Sequence, residues 1–316
     1  HTDFLLRHAV LAPSSHSTQP WMFEVHGDRF DVYADMSRWL EVADADQREL
    51  RLSLGCALEN LLLAAESVGF APLLRLFPDP TCPELVARVR LHPRPPGMQP
   101  SRPVELVDAI PDRRTERDPF DGCPVPRSVQ DDLSALATEP GVEVHLTDHP
   151  TLRRRMEELT LEADQRQFAD PAWRRELAHW IGEGVFGTNW LASKIGALAV
   201  RYFDLVRTVG EKDLDALESA PLVGMITTDR TDPEAQVRAG QLFERVFLAA
   251  TQAGLVLHPM NQILQVPEIR RDFVDLIPGA WGTPQIIFRL GYAEEDEEKD
   301  PSPRRPLDDV VRRGAG

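Results

Sequence analysis

Apolar residues recur at helical spacing in two long stretches of the chain. Leu58, Leu61, Leu62 and Ala65 mark the first, and Phe243, Val246, Phe247 and Ala250 mark the second. Each stretch closes on a glycine, Gly69 or Gly254, suited to a left-handed helix cap. The apolar positions are broad enough to predict two central, buried helices. The two also align without a gap, Gly55 to Gly69 on Gly240 to Gly254, sharing Gly, Glu, Leu-Ala-Ala and Gly at matching places. Any two buried helices ending in glycine share some of this, so the flanks carry weight. Phe4 to Val25 reads helix, loop, strand, and Val129 to Leu146 reads the same way; strand-like runs, Leu85 to Leu91 and Gln285 to Tyr292, follow the two helices. The pattern predicts two related halves, 1–105 and 106–316, with the proline-rich Pro93 to Pro103 as linker.

One stretch has no counterpart in the first half. Leu161 to Arg207 is helical by pattern and aromatic-rich, with Phe168, Trp173, Trp180, Phe186, Trp190, Tyr202 and Phe203. It is too apolar for a free surface and reads either as additional core or as a lid.

Composition narrows the function classes. A chain of 316 residues that is 42% hydrophobic buries a substantial core, enough for one large domain or two ordinary ones. Its formal net charge of −16 argues against nucleic acid or an anionic membrane as partner, since both need a basic face, and leaves a small molecule as the expected ligand. Three cysteines, Cys56, Cys82 and Cys123, lie far apart with no CxxC pair, which indicates neither a disulfide framework nor a zinc site. No apolar run approaches a membrane span and no signal peptide is legible, so a cytoplasmic protein is expected. GxGxxG, P-loop and GxSxG motifs are missing, which leaves dinucleotide-domain, kinase and hydrolase readings without support.

The candidate chemistry starts at Ala12 to Trp21, APSSHSTQPW. Pro13 ends the preceding helix, because proline disfavours helical geometry in the residue before it. Ser14, Ser15, Ser17 and Thr18 then bring four hydroxyls, Gln19 an amide, and Pro20-Trp21 an extended exit. Such a loop suits a polar ligand, and it also suits serines that bond their own backbone. Two further strings stand out: Arg113-Arg114-Thr115-Glu116-Arg117-Asp118-Pro119-Phe120, and Pro303-Arg304-Arg305-Pro306-Leu307. Arginine suits phosphate because its planar fork donates two hydrogen bonds at once. Read alone, each is equally a solvated charge cluster. His16 and His258 have no carboxylate or cysteine at ligand-like spacing and read as structural or supporting groups.

Taken together and in this order, the three strings resemble the motifs of the nitroreductase-like flavoproteins, most nearly those of the Acg-like branch. APSSHSTQPW resembles that family's APSxxNxQPW, with Ser17 where Asn is usual; RRTERDPF resembles its RxSxRxF flavin-phosphate motif, with Thr115 in place of Ser; PRRPL resembles its basic C-terminal element. The resemblance covers nearly the whole chain. It implies an α+β nitroreductase-like fold, with mixed, largely antiparallel sheets flanked by helices, and FMN as cofactor. Arg113, Thr115 and Arg117 would meet the FMN phosphate and ribityl chain, with Arg304 or Arg305 closing over the phosphate. Pro13, Ser14 and Ser15 would lie beside the isoalloxazine ring, Ser17 and Gln19 belong to the same binding loop, and Asn261 and Gln262 would stand near its reactive nitrogen, where the family often has Glu-Gly.

In that family two identical subunits share each flavin, one giving the arginine motif and the other the serine loop. Here the first half keeps the serine loop without the arginines. The second keeps the arginines but has only Ala137 to Gly141 where the loop would be. Fused halves with complementary losses imply an internal pseudo-dimer, a monomer holding one FMN; the resemblance to the Acg-like branch, where an inserted segment covers the flavin, makes Leu161 to Arg207 the candidate lid, with plain core packing as the alternative. The expected activity is oxidoreduction, a hydride passing from NAD(P)H through FMN to a nitroaromatic, quinone or similar acceptor; a flavin store with little turnover and a dedicated biosynthetic dehydrogenase are the alternatives. The flavin carries that chemistry, so no catalytic side chain and no metal ligand is singled out.

Overall fold

The structure is a computed structural model, which describes residues 1–185, 219–278, 282–293 and 302–313. Of the insert's aromatic residues, Phe186, Trp190, Tyr202 and Phe203 lie outside the described residues.

The first part of the chain gives α1 (Thr2–Ala9), β1 (Trp21–His26), β2 (Arg29–Ala34), α2 (Arg48–Ser67), β3 (Phe70–Leu76) and β4 (Leu85–Pro93). Then come α3 (Arg127–Ser134), β5 (Val142–Thr147), α4 (Pro150–Ala169), α5 (Pro171–Gly182), β6 (Leu222–Thr228) and α6 (Pro233–Gln252). The last part holds β7 (Val256–Pro259), α7 (Gln262–Gln265), α8 (Pro267–Val274), β8 (Thr283–Gly291), α9 (Leu307–Val310) and β9 (Val311–Arg313).

Helices α2 and α6 form the centre, with 18 of the 20 residues of α2 and 14 of the 20 of α6 buried, because their apolar positions cover most of each helix surface. Their glycines let them touch. A Cβ on Gly55 would stand 2.9 Å from the Gly240 Cα, and one on Gly240 would stand 2.8 Å from the Leu52 Cα. The glycines that align in the sequence therefore meet in space, backbone against backbone. Beside the crossing the contacts are exchanged. Glu59 of α2 pairs with Arg245 of α6 at 2.9 Å, while Glu244 of α6 faces Asn60 of α2. Residue i meeting j while j meets i is the contact pattern of a two-fold axis.

Two sheets flank this pair. One has the order β3-β4-β2-β1-β9 and the other β5-β6-β8-β7. All neighbours are antiparallel except β1 and β9, which run parallel with Phe23 opposite Val311. The architecture is α+β, with mixed and antiparallel sheets flanked by helices. Its C-terminal strand crosses back to complete the first sheet, so residues 311–313 pack with the N-terminal part of the chain.

Two features go beyond what the sequence pattern indicates. Pro93 to Pro103 is no loose spacer: the Glu66 carboxylate accepts from the Ser101 amide at 2.6 Å and the Ser101 hydroxyl at 2.6 Å, and Arg102 reaches both Glu59 and Glu66. A buried carboxylate needs such partners, and the linker supplies them. The helical insert begins at Pro150, earlier than Leu161, because Pro at the first position and His149 as cap, its ring accepting from the Thr151 amide, start α4 there. Among the described residues no helix is long and apolar enough to cross a membrane.

Candidate functional site

A cavity of about 440 Å³ opens where the serine loop, the arginine motif, α2, α4, α5 and the segment after β7 converge. It brings together Pro13, Ser14, Ser15, Thr115, Arg117, Asn261 and Gln262 from positions more than a hundred residues apart. Ser17, Gln19, Arg113, Arg304 and Arg305 do not line it.

The serine loop owes its shape to its own bonds. After α1 the chain makes a tight turn at Ser15–Ser17, and His16, Ser17 and Gln19 sit at φ of 48°, 53° and 52°. Three non-glycine residues in the left-handed region are strained, and such strain gathers at functional sites. The Ser14 hydroxyl accepts from the Gln19 amide at 2.9 Å, and Arg38 donates to the Thr18 carbonyl. Gln19 clasps the C-terminal arm: its amide nitrogen donates to the Pro303 carbonyl at 3.1 Å and its oxygen accepts from the Arg305 amide at 2.8 Å. Ser17 and Gln19 thus act in the frame of the loop. Arg305 belongs to that frame too, paired with Asp35 at 3.2 Å and donating to the Gln19 carbonyl.

The arginine motif lies along the edge of the second sheet. Thr115 bridges to Leu257, and the Glu116 amide donates to the Leu257 carbonyl at 3.1 Å. Its anchor is Arg289 of β8, 0% exposed, which donates to the carbonyls of Glu116 at 3.1 Å and Asp118 at 2.8 Å and packs over the Phe120 ring. A buried guanidinium is tolerated because carbonyls take up its donors. The anchoring holds Thr115 and Arg117 at the cavity wall.

Arg113 is buried and Arg304 half-buried, and both lie outside the cavity lining. Each donates to the Leu11 carbonyl, at 3.0 and 3.1 Å, and Arg113 lies 3.6 Å from Glu244 while stacking on Phe247. Neither Nε has a hydrogen-bond partner. Burial, reinforced by Arg113, lowers Arg304 to about 10, and Glu244 opposes this. Buried donors left without a hydrogen bond are uncommon in native proteins, and that of Arg113 faces the Glu244 carboxyl instead.

Glu59 and Glu244 occupy matching places on α2 and α6, yet they titrate in opposite directions. Glu59 is held below the ordinary value despite burial, because Arg102 and Arg245 both face it. Burial instead pushes Glu244 up to about 7, against Arg113, the Asn60 amide and Arg304. The amide of Asn60 stands where the other side has Arg245. Folding thus makes the Glu244 carboxyl hold a proton that the unfolded chain releases near 4.5. Its contribution to stability is full below pH 4.5 and is lost as the pH rises to about 7. Glu244→Gln is expected to remove this slope. Between pH 4.5 and 7.5 the stability of the variant relative to wild type should rise by on the order of 3 kcal/mol, measured by urea unfolding at each pH. Parallel pH profiles would place the proton elsewhere.

Several lining residues escape the sequence reading. Glu49, Leu52, Ser53 and Cys56 face the cavity from α2; their spacing of three, four and seven is that of one helix face, a signal hidden because α2 is buried all round. Asp164, Gln167 and Phe168 from α4, and Trp173, Leu177 and Ile181 from α5, form another wall. Phe168 and Trp173 also pack with Leu40, Ala43 and Trp180, so these side chains serve core and cavity at once. Glu176 ties α5 to the first part of the chain, accepting from the amides of Val42 at 3.0 Å and Ala43 at 2.9 Å. His16 and His258, read from sequence as supporting groups, both line the cavity. Burial lowers the pKa of each, with Arg117 adding to it, so both rings are neutral at pH 7. The Cys56 thiol is pushed well up by burial and donates to the Gly240 carbonyl, which makes it inert.

Fold and site together define a two-sheet α+β protein with a small-molecule cavity beside its central helix pair. No family model matches the chain. It is, however, 31% identical over 314 residues to the "Putative NAD(P)H nitroreductase Rv3131" of Mycobacterium tuberculosis, covering 96% of this chain and 88% of that one. It is 27% identical over 310 residues to the "Putative NAD(P)H nitroreductase acg" of the same species, covering 96% and 92%. Among solved structures, an FMN-dependent nitroreductase NfnB from Mycobacterium smegmatis, in complex with NADPH, aligns with 66% of this chain and 97% of its own at 18% identity and a TM-score of 0.40. The chain belongs to the NAD(P)H nitroreductase family, the Acg proteins included.

Proposed function

We propose that the protein is an FMN-dependent oxidoreductase that takes electrons from NAD(P)H and passes them to a nitroaromatic, quinone or similar acceptor. The observation that carries this reading is the convergence of Pro13–Ser15, Thr115–Arg117 and Asn261–Gln262 on one cavity. The donor set suits the cofactor. Arg117 and the Thr115 hydroxyl offer charge-assisted and neutral donors for phosphate and ribityl oxygens, with buried Arg113 and half-buried Arg304 adding positive potential. Pro13, Ser14, Ser15, Leu52, Phe243 and Ile286 offer a largely apolar surface for a ring system. When bound, the flavin supplies two-electron transfer between the nicotinamide and the acceptor. The chain holds it, orients it and shields it from water. Asn261 turns its side-chain oxygen to the Ile287 amide at 3.1 Å, which fixes the loop that meets the ring.

The meeting of Gly55 with Gly240, and the exchanged Glu59–Arg245 and Glu244–Asn60 contacts, support a chain built from two fused halves, 1–105 and 106–316, that carries one flavin and acts as a monomer. The aromatic wall of α4 and α5 favours a second reading, a flavin store, because Phe168 and Trp173 would narrow the room left for a nicotinamide in the cavity.

One experiment separates these. The purified protein, titrated with FMN, is expected to bind one flavin per chain, and the bound flavin to bleach on addition of NADPH without oxygen. Failure to bind FMN would sink both readings, and binding without bleaching by NADPH or NADH would leave the store.

A further inference from the structure

Four cavity-lining side chains form a continuous hydrogen-bonded row from the serine loop to α4. The Ser15 hydroxyl donates to Glu49 Oε2 at 2.5 Å. Gln265 Nε2 donates to Glu49 Oε1 at 2.9 Å, and Gln167 Nε2 donates to Gln265 Oε1 at 2.6 Å. Glu49 is 2% exposed, and Arg48 Nη2 also donates to its Oε1 at 2.9 Å. With a guanidinium, an amide N–H and a hydroxyl all donating to it, the Glu49 carboxylate accepts at both oxygens.

That single constraint sets the polarity of the whole row. Gln265 must turn its NH₂ toward Glu49, so its carbonyl faces Gln167. Gln167 must then turn its own NH₂ toward Gln265. The Gln167 carbonyl oxygen is left as the end of the row; it has no hydrogen-bond partner among the described residues, on a side chain only 8% exposed. A flip of either amide would set N–H against N–H or oxygen against carboxylate, so the orientation is locked from Arg48 outward.

Resting on the flavin reading of the cavity, we propose that Gln167 selects the acceptor. The site takes planar aromatic acceptors that carry an N–H or O–H donor on the edge facing α4. Gln265 and Glu49 are positioning residues that keep the Gln167 carbonyl turned into the cavity. A donor-bearing ligand satisfies this oxygen, while an isosteric ligand with a methyl group covers it and leaves it unpaired, and an acceptor stripped of water without a new partner costs affinity.

The probes are 4-nitroaniline and 4-nitrotoluene, which match in shape and differ in NH₂ against CH₃. Dissociation constants are measured by calorimetry on the oxidised, FMN-loaded full chain, with no NADPH present, after flavin content has been checked by absorbance. Wild type is expected to bind the amine about tenfold more tightly, one hydrogen bond's worth. Gln167→Leu should bring the two within twofold. Glu49→Gln should also narrow the gap, since an amide at 49 lets Gln265 and Gln167 turn round. Equal affinities in wild type, or an unchanged gap in both variants, would overturn the assignment. So would a variant that loses FMN while keeping the preference, since the row would then serve the flavin. If wild type holds no FMN at all, the reading beneath this one fails first.

Discussion

Replacing Gly55 by alanine is expected to destabilise the protein by about 3 kcal/mol or more, although alanine is the better helix former by about 1 kcal/mol. The added Cβ would meet the Val237 carbonyl and lie 2.9 Å from the Gly240 Cα, on the facing helix. Both obstacles are backbone, which cannot swing aside like a side chain, so α2 and α6 must separate and loosen the core that both sheets pack against. Gly240→Ala meets Leu52 backbone in the same way and should cost a similar amount. The double variant should cost less than the sum, because once the helices have parted the second methyl finds room. Urea unfolding followed by far-UV dichroism reads all three. A Gly55→Ala protein more stable than wild type would show that propensity wins and that the helices do not touch here.

The arginines of the motif are expected to fail in different ways. Arg117 lines the cavity, so Arg117→Ala should keep the fold and weaken FMN binding by about ten- to a hundredfold, or roughly 1.5 to 3 kcal/mol, the worth of a hydrogen bond to a charged group. Arg113 is buried against Glu244 and the Leu11 carbonyl. Removing its guanidinium leaves a void against Phe247 and strips a donor from the Leu11 carbonyl, and losing a buried, well-packed side chain costs about 2 to 5 kcal/mol. Arg113→Ala should therefore lower unfolding stability first. Fluorescence titration of apo-protein with FMN, run beside urea unfolding, separates the two outcomes. A stable Arg117→Ala variant with wild-type affinity would return Thr115–Arg117 to a purely structural role.

Much of the fold was legible because it is local or periodic. Apolar spacing marked α2 and α6, Pro13 and the serines marked the loop, and β-rich runs marked β1, β4, β5 and β8. Three motifs in order were enough to indicate the family, and seven of the twelve candidate site residues do line one cavity. The remainder was not legible for a physical reason. Arg113, Thr115 and Arg117 are near neighbours in sequence, yet an extended segment turns alternate side chains by amounts that only its pairing with Leu257 and its anchoring by Arg289 fix. Glu49 looked like any acid in the first turn of a helix, and Gln167 and Gln265 like any surface amides.

The sequence by itself determined the two central helices, their aligned glycines, the serine loop and the charges on offer, since propensity, periodicity and side-chain chemistry are carried residue by residue. Only the tertiary structure decided which arginine faces the cavity and which is buried against Glu244, why Glu244 keeps its proton near neutral pH while Glu59 gives its proton up, and which way the Gln167 amide points. Each of those depends on partners drawn from distant parts of the chain, and on how far water is kept from them. Electrostatic strength and hydrogen-bond direction follow from that surrounding, which no single stretch of sequence contains.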